Sequence, residues 1–277
     1  MTHRLLIINA DNFGLTKPAN KAVLDGYHNG FLKSASLTAN GSAFNAAVNE
    51  IIPECPNLSI GIHLNLSKGY SLTKAPMLTN KKGVFNNNFL QILFKSNNKE
   101  IQKQIEFEFR TQIETVSNYT KISHIDSYNN IHIIPEIFEI TAKLAQEFNI
   151  PYIRNHYEEL FVIKDYRKNI RLPINFIKML FLNSFYKKNK AITDKYNLKS
   201  NDFIISTLYN GIMDCETIES GLKMIDNKSC ITEIAIYPAN YTIVNRNNEY
   251  KQFLIIKNKE LNDKISRLGF EISNFSG

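Results

Sequence analysis

The sequence predicts an α/β protein whose parallel strands curl into a (β/α) barrel-like sheet, as a single domain. Short apolar, β-branched runs recur along the chain, each followed by polar residues and a helix-period segment. The length of 277 residues is one that a single barrel domain can take up. Periodicity alone does not separate an open doubly wound sheet from a barrel. The placement of polar residues does, because they fall at the C-terminal ends of several different strands. Asp11 and Asn12 end the first, Asn40 the second, and His63 and Asn65 lie late in the third. Asp126 and Tyr128 end the fourth, and Arg154 and Tyr237 close two more. Barrels build sites from strand ends and the loops that follow, whereas open sheets gather such residues at one crevice.

The elements follow in order. Leu5–Ile8 reads as a buried strand, followed by a helix from about Pro18 to Asn29. The run Ser34–Asn40 precedes a helical stretch, Phe44–Ile52, and Leu58–Leu66 alternates as a third strand. A Lys-, Asn- and Gly-rich loop, Ser67–Asn88, comes next. Glu100–Ser117 is an amphipathic helix, because Ile101, Ile105, Phe109, Ile113 and Val116 recur at helical spacing. A strand at Ser123–Ser127 leads to a helix opening near Pro135, where proline suits the first turn. A strand at Tyr152–Asn155 follows. Residues 156–200 mix cations with aromatic and aliphatic residues and read as a basic helical insertion. Strands at Phe203–Leu208, Glu233–Tyr237 and Phe270–Ser273, with one long helix over Glu249–Leu268, complete the pattern.

Composition removes several classes. An apolar share of 43% and a charged share of 21% are those of a folded chain, not a disordered one. Cys55, Cys215 and Cys230 are too few and too scattered for a disulfide framework or a cysteine zinc site. No apolar run approaches the roughly 18 residues that cross a bilayer, and the N-terminal stretch is too short for a signal peptide. These features predict a cytoplasmic protein. The net charge of +7 leans toward anionic partners. Arg167, Lys168, Arg171, Lys178, Lys187, Lys188 and Lys190 concentrate it, but no nucleic-acid-binding signature accompanies them. A solvated helical face explains that cluster, with a lid over the site or peripheral contact with an anionic glycolipid surface as alternatives.

Three constellations carry chemistry. In Asn9–Gly14, an acidic residue at the end of a buried strand loses hydration on one side, which would raise the pKa of Asp11 toward that of a general base. An Asx cap of the following turn explains the same residue. His63, in Gly61–Leu66, sits within an alternating apolar strand, where a histidine is more often a hydrogen-bonded core residue than a ligand. The third segment, His124–His132, places His124, Asp126 and Tyr128 on one face of an extended chain. Buried polar groups require partners, so a ligand or metal site competes there with a structural network.

These residues carry a family resemblance. NADNFGLTKPAN, KSASLTANGSAF, GIHLNLSKG and HIDSYNNIHIIPEIF, in that order and spacing, resemble the YdjC-like (ChbG/HpnK) carbohydrate deacetylases. EIAIYPANY and ELNDKISRLGFEISNF extend the likeness over the chain except about 156–200. The resemblance implies a NodB/YdjC-type variant of the TIM barrel and divalent-metal-assisted removal of an N-acetyl group from an amino sugar. It implies Asp11 as the base, His63 as a metal ligand, and retained roles for Asp126 and His132. It leaves a homodimer open.

This chain departs from the family at three places. Asn12 stands where the family has its second aspartate, a metal ligand. Tyr128 stands at the position of a ligand histidine, followed by Asn129 and Asn130. Tyr237 replaces the histidine that serves as general acid. A catalytic divalent site uses about three protein ligands; asparagine brings no negative charge, and phenols are poor ligands at neutral pH. The expected catalytic set is therefore Asp11, His63, Asp126, His132 and Tyr237. Asn12, Asn40, Asn65, Tyr128, Asn130 and Arg154 are expected to bind substrate. His63 is the sole conventional metal ligand left. The expected protein is a deacetylase-like hydrolase of an acylated amino sugar or its conjugate, working without a cofactor, with magnesium or zinc as the family-based alternative. A homologue that binds a sugar or protein partner without turnover is the competing reading.

Overall fold

The computed structural model describes residues 4–164, 166–168, 170–225, 230–241 and 248–275. Among the described residues, eight parallel strands form one sheet: β1 (Arg4–Phe13), β2 (Ser34–Leu37), β3 (Ser59–Leu64), β4 (His124–Ser127), β5 (Tyr152–Ile153), β6 (Phe203–Ile205), β7 (Cys230–Ile236) and β8 (Glu271–Ser273). Their order is β5-β4-β3-β2-β1-β7-β6. β8 pairs with Leu5–Ile7 at the start of β1, below the stretch from Asn9 to Phe13 that pairs with β2. The sheet curls until its ends meet: the Ile204 N–H donates to the Tyr157 carbonyl at 2.9 Å, and Lys199 bridges to Tyr152. The barrel-like α/β fold expected from the sequence is the one observed.

Ten helices among the described residues connect and cover the strands: α1 (Lys17–Asn29), α2 (Phe44–Ala46), α3 (Phe89–Lys95), α4 (Lys99–Ser117), α5 (Pro135–Glu147), α6 (Leu172–Asn183), α7 (Tyr186–Lys195), α8 (Cys215–Met224), α9 (Asn248–Ile255) and α10 (Lys259–Arg267). In α4, Ile101, Ile105, Phe109, Ile113 and Val116 are all buried, and each fully buried side chain of this kind contributes roughly 1.5–3 kcal/mol relative to exposure. Asn98 caps its first turn by accepting from Glu100 and Ile101 N–H groups.

Two helices differ from expectation. The stretch from Phe44 is one α-turn followed by a π-turn at Ala47–Ile51 and a 3-10 turn at Ile52–Glu54, where Pro53 enters. The single helix expected over 249–268 is broken into α9 and α10. The Ile256 carbonyl accepts from Phe31 N–H at 3.0 Å, and Asn258 caps a fresh helix by accepting from Leu261 N–H. Gly30 permits that approach, since a Cβ there would lie 2.3 Å from the Ile256 oxygen. Two further helices, α3 and α8, fall where no helix was expected.

Alternation sorts the strand residues into two sets. Leu6, Ile8 and Ala10 of β1, Ile60 and Ile62 of β3, Ile125 of β4 and Ile234 of β7 join the main hydrophobic core. The opposite face of the same strands carries Asn9, Asp11, Ser34, Ser36, His63, His124, Asp126 and Glu233, all buried. The inside of the curled sheet is therefore polar toward the strand ends. At its base, Ile7, Tyr152 and Phe275 cluster, and His124 stacks on Phe275 with ring centroids 3.9 Å apart. Gly61 makes room for that imidazole, because a Cβ there would lie 2.3 Å from it. No helix among the described residues is long and apolar enough to cross a membrane.

Candidate active site

Burying this much charge inside a sheet requires mutual compensation. Arg154, one residue past β5, supplies it. Its Nη1 donates to Asp11 Oδ2 and its Nη2 to Asp11 Oδ1, each at 2.8 Å. Nη2 also lies 2.7 Å from Asp126 Oδ2. Nε donates to Glu233 Oε1 at 2.8 Å, and Nη2 reaches the same oxygen. The planar fork of arginine suits this bidentate grip. Asn9 and Ser36 extend the network: Asn9 Nδ2 donates to Asp11 Oδ1 at 2.8 Å, and Ser36 Oγ donates to Asp126 Oδ2 at 2.8 Å.

The protonation states follow from these contacts. Burial would raise the Asp11 pKa, but the charge and hydrogen bonds of Arg154, with help from His63 and Asn9, outweigh it and bring it to about 2. The expectation of a raised, base-like Asp11 is thus reversed: a strand-end carboxylate loses hydration, but here it faces a guanidinium that no local sequence feature placed beside it. Burial pushes Glu233 up to about 7 against the pull of Arg154. The three carboxylates hold Arg154 well above its ordinary value despite its burial.

From this cluster the network passes to His63, whose Nδ1 lies 2.7 Å from Asp126 Oδ1. That carboxylate fixes the imidazole, leaving Nε2 buried without a hydrogen-bond partner. The His63 ring meets Tyr128 edge-on, with centroids 6.2 Å apart. Tyr128 in turn lines an open cavity of about 270 Å³ together with Asn12, Asn130, Lys178, Asn210 and Tyr237. Asn12, Asn129 and Asn130 all adopt positive φ, at 66°, 57° and 58°, which asparagine tolerates better than most residues. The Asn12 Oδ1 is also buried without a partner.

The sequence-expected residues therefore separate into groups. Asp11, His63, Asp126 and Arg154 form one buried network, and Asn12, Tyr128, Asn130 and Tyr237 line the cavity beside it. Arg154, expected to bind substrate, has its donors spent on carboxylates. Burial pushes the Tyr237 hydroxyl well above its ordinary value, so it is a weak acid. His132 is held apart from the cavity lining: its Nδ1 contacts Ser127 Oγ, its Nε2 contacts the Arg154 carbonyl at 3.0 Å, and burial lowers its pKa to about 3. Asn40 and Asn65 are spent on the loop after β3. Asn65 Nδ2 donates to Asn40 Oδ1 at 2.9 Å and to the Lys68 carbonyl at 2.7 Å, and Asn40 Nδ2 donates to the Tyr70 carbonyl at 2.7 Å. They shape that loop and do not line the cavity.

Three contributors were missed. Glu233 sits in CITEIAI, where a charge in an apolar strand should have asked for a buried cation. Ser36 gave no signal. Lys178 belongs to the basic cluster for which a solvated helical face and a lid over the site are the alternatives; it is half-buried on α6 and lines the cavity. Among the described residues it forms no hydrogen bond or ion pair, and burial lowers its pKa while the charge of Glu158 opposes this. Other cations of that cluster pair at the surface, Lys188 with Glu136 at 3.0 Å and Lys190 with Asp194 at 3.4 Å.

Asp11, His63 and Asp126 offer ligand atoms within 4.8 Å of one another, a group that could hold a metal ion. Both carboxylates of that group, however, already flank the Arg154 guanidinium, and the unpartnered Asn12 Oδ1 and His63 Nε2 are neutral donors.

Comparison with known proteins places this arrangement in context. The family model described as YdjC-like protein matches residues 5–265. A carbohydrate deacetylase from Clostridium beijerinckii is 29% identical over 277 residues, covering 98% of each chain. A carbohydrate deacetylase from Thermoanaerobacter pseudethanolicus is 30% identical over 189 residues, covering 67% of this chain and 73% of its own. Among solved structures, a protein from Enterococcus faecalis V583 named for cellobiose-phosphate cleavage superposes with a TM-score of 0.75 at 20% identity, covering 99% of this chain and 98% of its own. An uncharacterised protein from Agrobacterium tumefaciens C58 gives 0.52 at 10% identity, covering 100% and 89%. At these identities the structural likeness speaks to the fold.

Proposed function

The chain belongs to the YdjC-like family, and from that premise we propose that it is a carbohydrate deacetylase-like hydrolase of an N-acetylated amino sugar or its conjugate. The observation that carries the reading is the His63–Asp126 pair. A carboxylate orients one ring nitrogen and leaves the other buried and unpartnered, in a ring that packs against Tyr128 of the cavity wall, an arrangement that suits a general base.

In this reading His63 Nε2 takes a proton from water as the water oxygen adds to the amide carbonyl carbon. The C–N bond then breaks, the imidazolium returns the proton to the departing amine, and acetate and the free amino sugar result. Asp126 fixes the imidazole and stabilises its charged form. Asp11, ionised and gripped by Arg154, is an electrostatic and positioning group rather than a base. Lys178 supplies the cavity with a positive charge for the oxyanion that forms on the carbonyl. Tyr237 keeps its proton and donates a hydrogen bond.

The family's divalent ion does not fit the donors present. The family ligand positions hold Asn12, His63 and Tyr128, none an anion, and the nearby carboxylates already neutralise a permanent cation. Displacing Arg154 from them would leave this buried cation with Glu233 alone and strip it of its bidentate partner, a cost of several kcal/mol. No step is therefore assigned to a metal. The reading carries with it a cytoplasmic, small-carbohydrate-processing protein with no nucleic-acid partner.

Incubation with N-acetylated oligosaccharides, with and without a chelator, tests the proposal through release of free acetate. Equal release in both arms is expected, and Lys178→Met should lower kcat by about 10²–10³-fold, as loss of one oxyanion-stabilising group does. No acetate under any condition would favour the homologue that binds without turnover. Acetate abolished by the chelator would overturn the metal-free assignment.

A further inference from the structure

Glu158 is buried outside the Asp11–Arg154 network, and its carboxylate grips the backbone as the chain leaves β6. Oε1 accepts from the Ser206 N–H at 2.8 Å, and Oε2 from the N–H groups of Thr207 and Leu208 at 2.9 and 3.0 Å. Two residues further on, Asn210 and Gly211 line the polar cavity. An anion held by three successive backbone donors fixes the course of that segment, because each donor would otherwise be buried without a partner.

The same residue is fastened to α6. Its N–H donates to Asn183 Oδ1 at 3.0 Å, and its carbonyl accepts from Asn183 Nδ2 at 2.8 Å. Asn175, also on α6, donates to the Leu208 and Asn210 carbonyls at 3.3 and 3.1 Å. Lys178 lies between these two asparagines on the helix and lines the cavity. Two walls of the cavity, α6 and the segment 206–211, are thus tied to Glu158. The other titratable groups around the pair are few. His156 contacts Asn183 Oδ1 and Thr207 Oγ1 at 3.0 and 2.9 Å, and Tyr209 of the gripped segment donates to the Phe161 carbonyl. Tyr128, Tyr237 and Glu249 of α9 face Lys178 across the cavity lining.

We infer that Glu158 is a positioning residue of the site: its carboxylate holds the Asn210–Gly211 wall against α6 and is the countercharge that keeps Lys178 cationic in the cavity. The use of that cation in catalysis rests on the hydrolase reading, whereas the coupling of the two residues does not. Burial draws Lys178 toward its neutral form, and the Glu158 charge opposes this through space, with no hydrogen bond between them. The coupling is reciprocal, so the charge on Lys178 favours the ionised form of Glu158 to the same extent.

Nuclear magnetic resonance reads both sides of the pair. In the wild-type protein the Ser206, Thr207 and Leu208 amides should titrate together near pH 7, where burial places Glu158, and apart from His156 near 4. Lys178→Met should raise that shared midpoint by roughly one pH unit, the scale of a nearby opposite charge. Lys188→Met, which removes a surface cation paired with Glu136, should leave it in place. With the lysines carrying 13C-labelled methyl groups, the Lys178 signal, identified by its loss in Lys178→Met, should titrate roughly one pH unit lower in Glu158→Gln. Because the coupling is reciprocal, the Lys178→Met titration decides alone if Glu158→Gln does not fold. In turnover, the basic limb of the Glu158→Gln kcat profile should begin at lower pH by the same amount, with KM near neutral pH little changed. Unmoved midpoints, or an equal shift in Lys188→Met, would overturn the inference. A loss of kcat uniform across pH, with the limb in place, would assign Glu158 to structure alone and overturn it too. Acetate release with unmoved midpoints would leave the hydrolase reading standing without the pair. Coupled midpoints with no acetate release would uphold the pair and remove the hydrolase reading.

Discussion

Arg154 and Asp11 face each other as a closed fork, two parallel hydrogen bonds of 2.8 Å between side chains that are each 1% exposed. The pair joins β1 to the end of β5 across the inside of the sheet, and through Asp126 it reaches the His63 imidazole. Its consequence is that Asp11 stays ionised and weakly basic, which in the proposed reaction leaves proton transfer to His63.

Removing Arg154 should be severe. Arg154→Met would leave Asp11, Asp126 and Glu233 buried without their cation, and breaking a buried pair in this way costs about 3–5 kcal/mol. Arg154→Lys keeps the charge but loses the fork and should fall between the two. Urea denaturation of the three proteins checks the order; a stable Arg154→Met protein would show that the network is not holding the sheet together.

His63→Gln and Asp126→Asn should each lower turnover by about 10²–10⁴-fold with the fold retained, the range for loss of a general base or of its orientation. Kinetics on an N-acetylated amino sugar, with circular dichroism to confirm folding, reads the outcome. If Asp11→Asn abolishes turnover while His63→Gln leaves it unchanged, the roles assigned to the two residues are inverted.

Wild-type protein should bind no divalent ion tightly at neutral pH. Asn12→Asp with Tyr128→His should create a three-ligand set with His63, and the positive φ of 66° at residue 12 is one that aspartate also tolerates. A metal at about 100 times its Kd stabilises by about 2.7 kcal/mol, which for a chain of this size raises Tm by roughly 5–10 °C. The rise should appear in the double variant and not in wild type. A comparable rise in wild type would mean that Asp11, His63 and Asp126 hold an ion despite Arg154.

Buried histidines should set part of the acid limit of stability. Burial lowers His156 from 6.5 to about 4, against the hydrogen bond it makes to Asn183. The unfolded chain takes up the proton near pH 6.5 and the folded chain only near 4, so this contribution is complete above pH 6.5 and is lost as pH falls toward 4. It amounts to about 3 kcal/mol at most. Glu158 works the other way: burial raises it to about 7, against three backbone N–H groups, so its ionisation costs stability as pH rises from 4.5 to 7. His156→Gln should therefore flatten the fall in Tm between pH 6.5 and 4 relative to wild type. An unchanged slope would place the proton uptake elsewhere.

Much of the fold was legible in the sequence because periodicity is local. The apolar runs at Leu5–Ile8 and Leu58–Leu66 and the Ile/Phe stripe of 101–116 report their own burial, and all appear as strands or as a helix with the expected faces. The break at 256–258 was not legible, because the Ile256 carbonyl is claimed by Phe31, far away in sequence. Within the site, Asp11, His63 and Asp126 could be found from strand ends and alternation. Asn40 and Asn65 were misjudged because the loop after β3 folds back and spends their amides on its own backbone.

By itself the sequence determined that polar side chains would line one face of the strands, since a two-residue period fixes which side chains share a face. Only the tertiary structure decided what those side chains would be. Asp11 on β1, Asp126 on β4, Arg154 after β5 and Glu233 on β7 meet only because the sheet curls, and the energy of a buried charge depends on the partner that curl delivers. A strand-end aspartate in isolation would gain basicity from lost hydration; facing a guanidinium, it loses that basicity to a stronger attraction. The same fold brings Lys178 of α6 to the cavity and spends the donors of Arg154 away from it, an exchange of roles that no local pattern encodes.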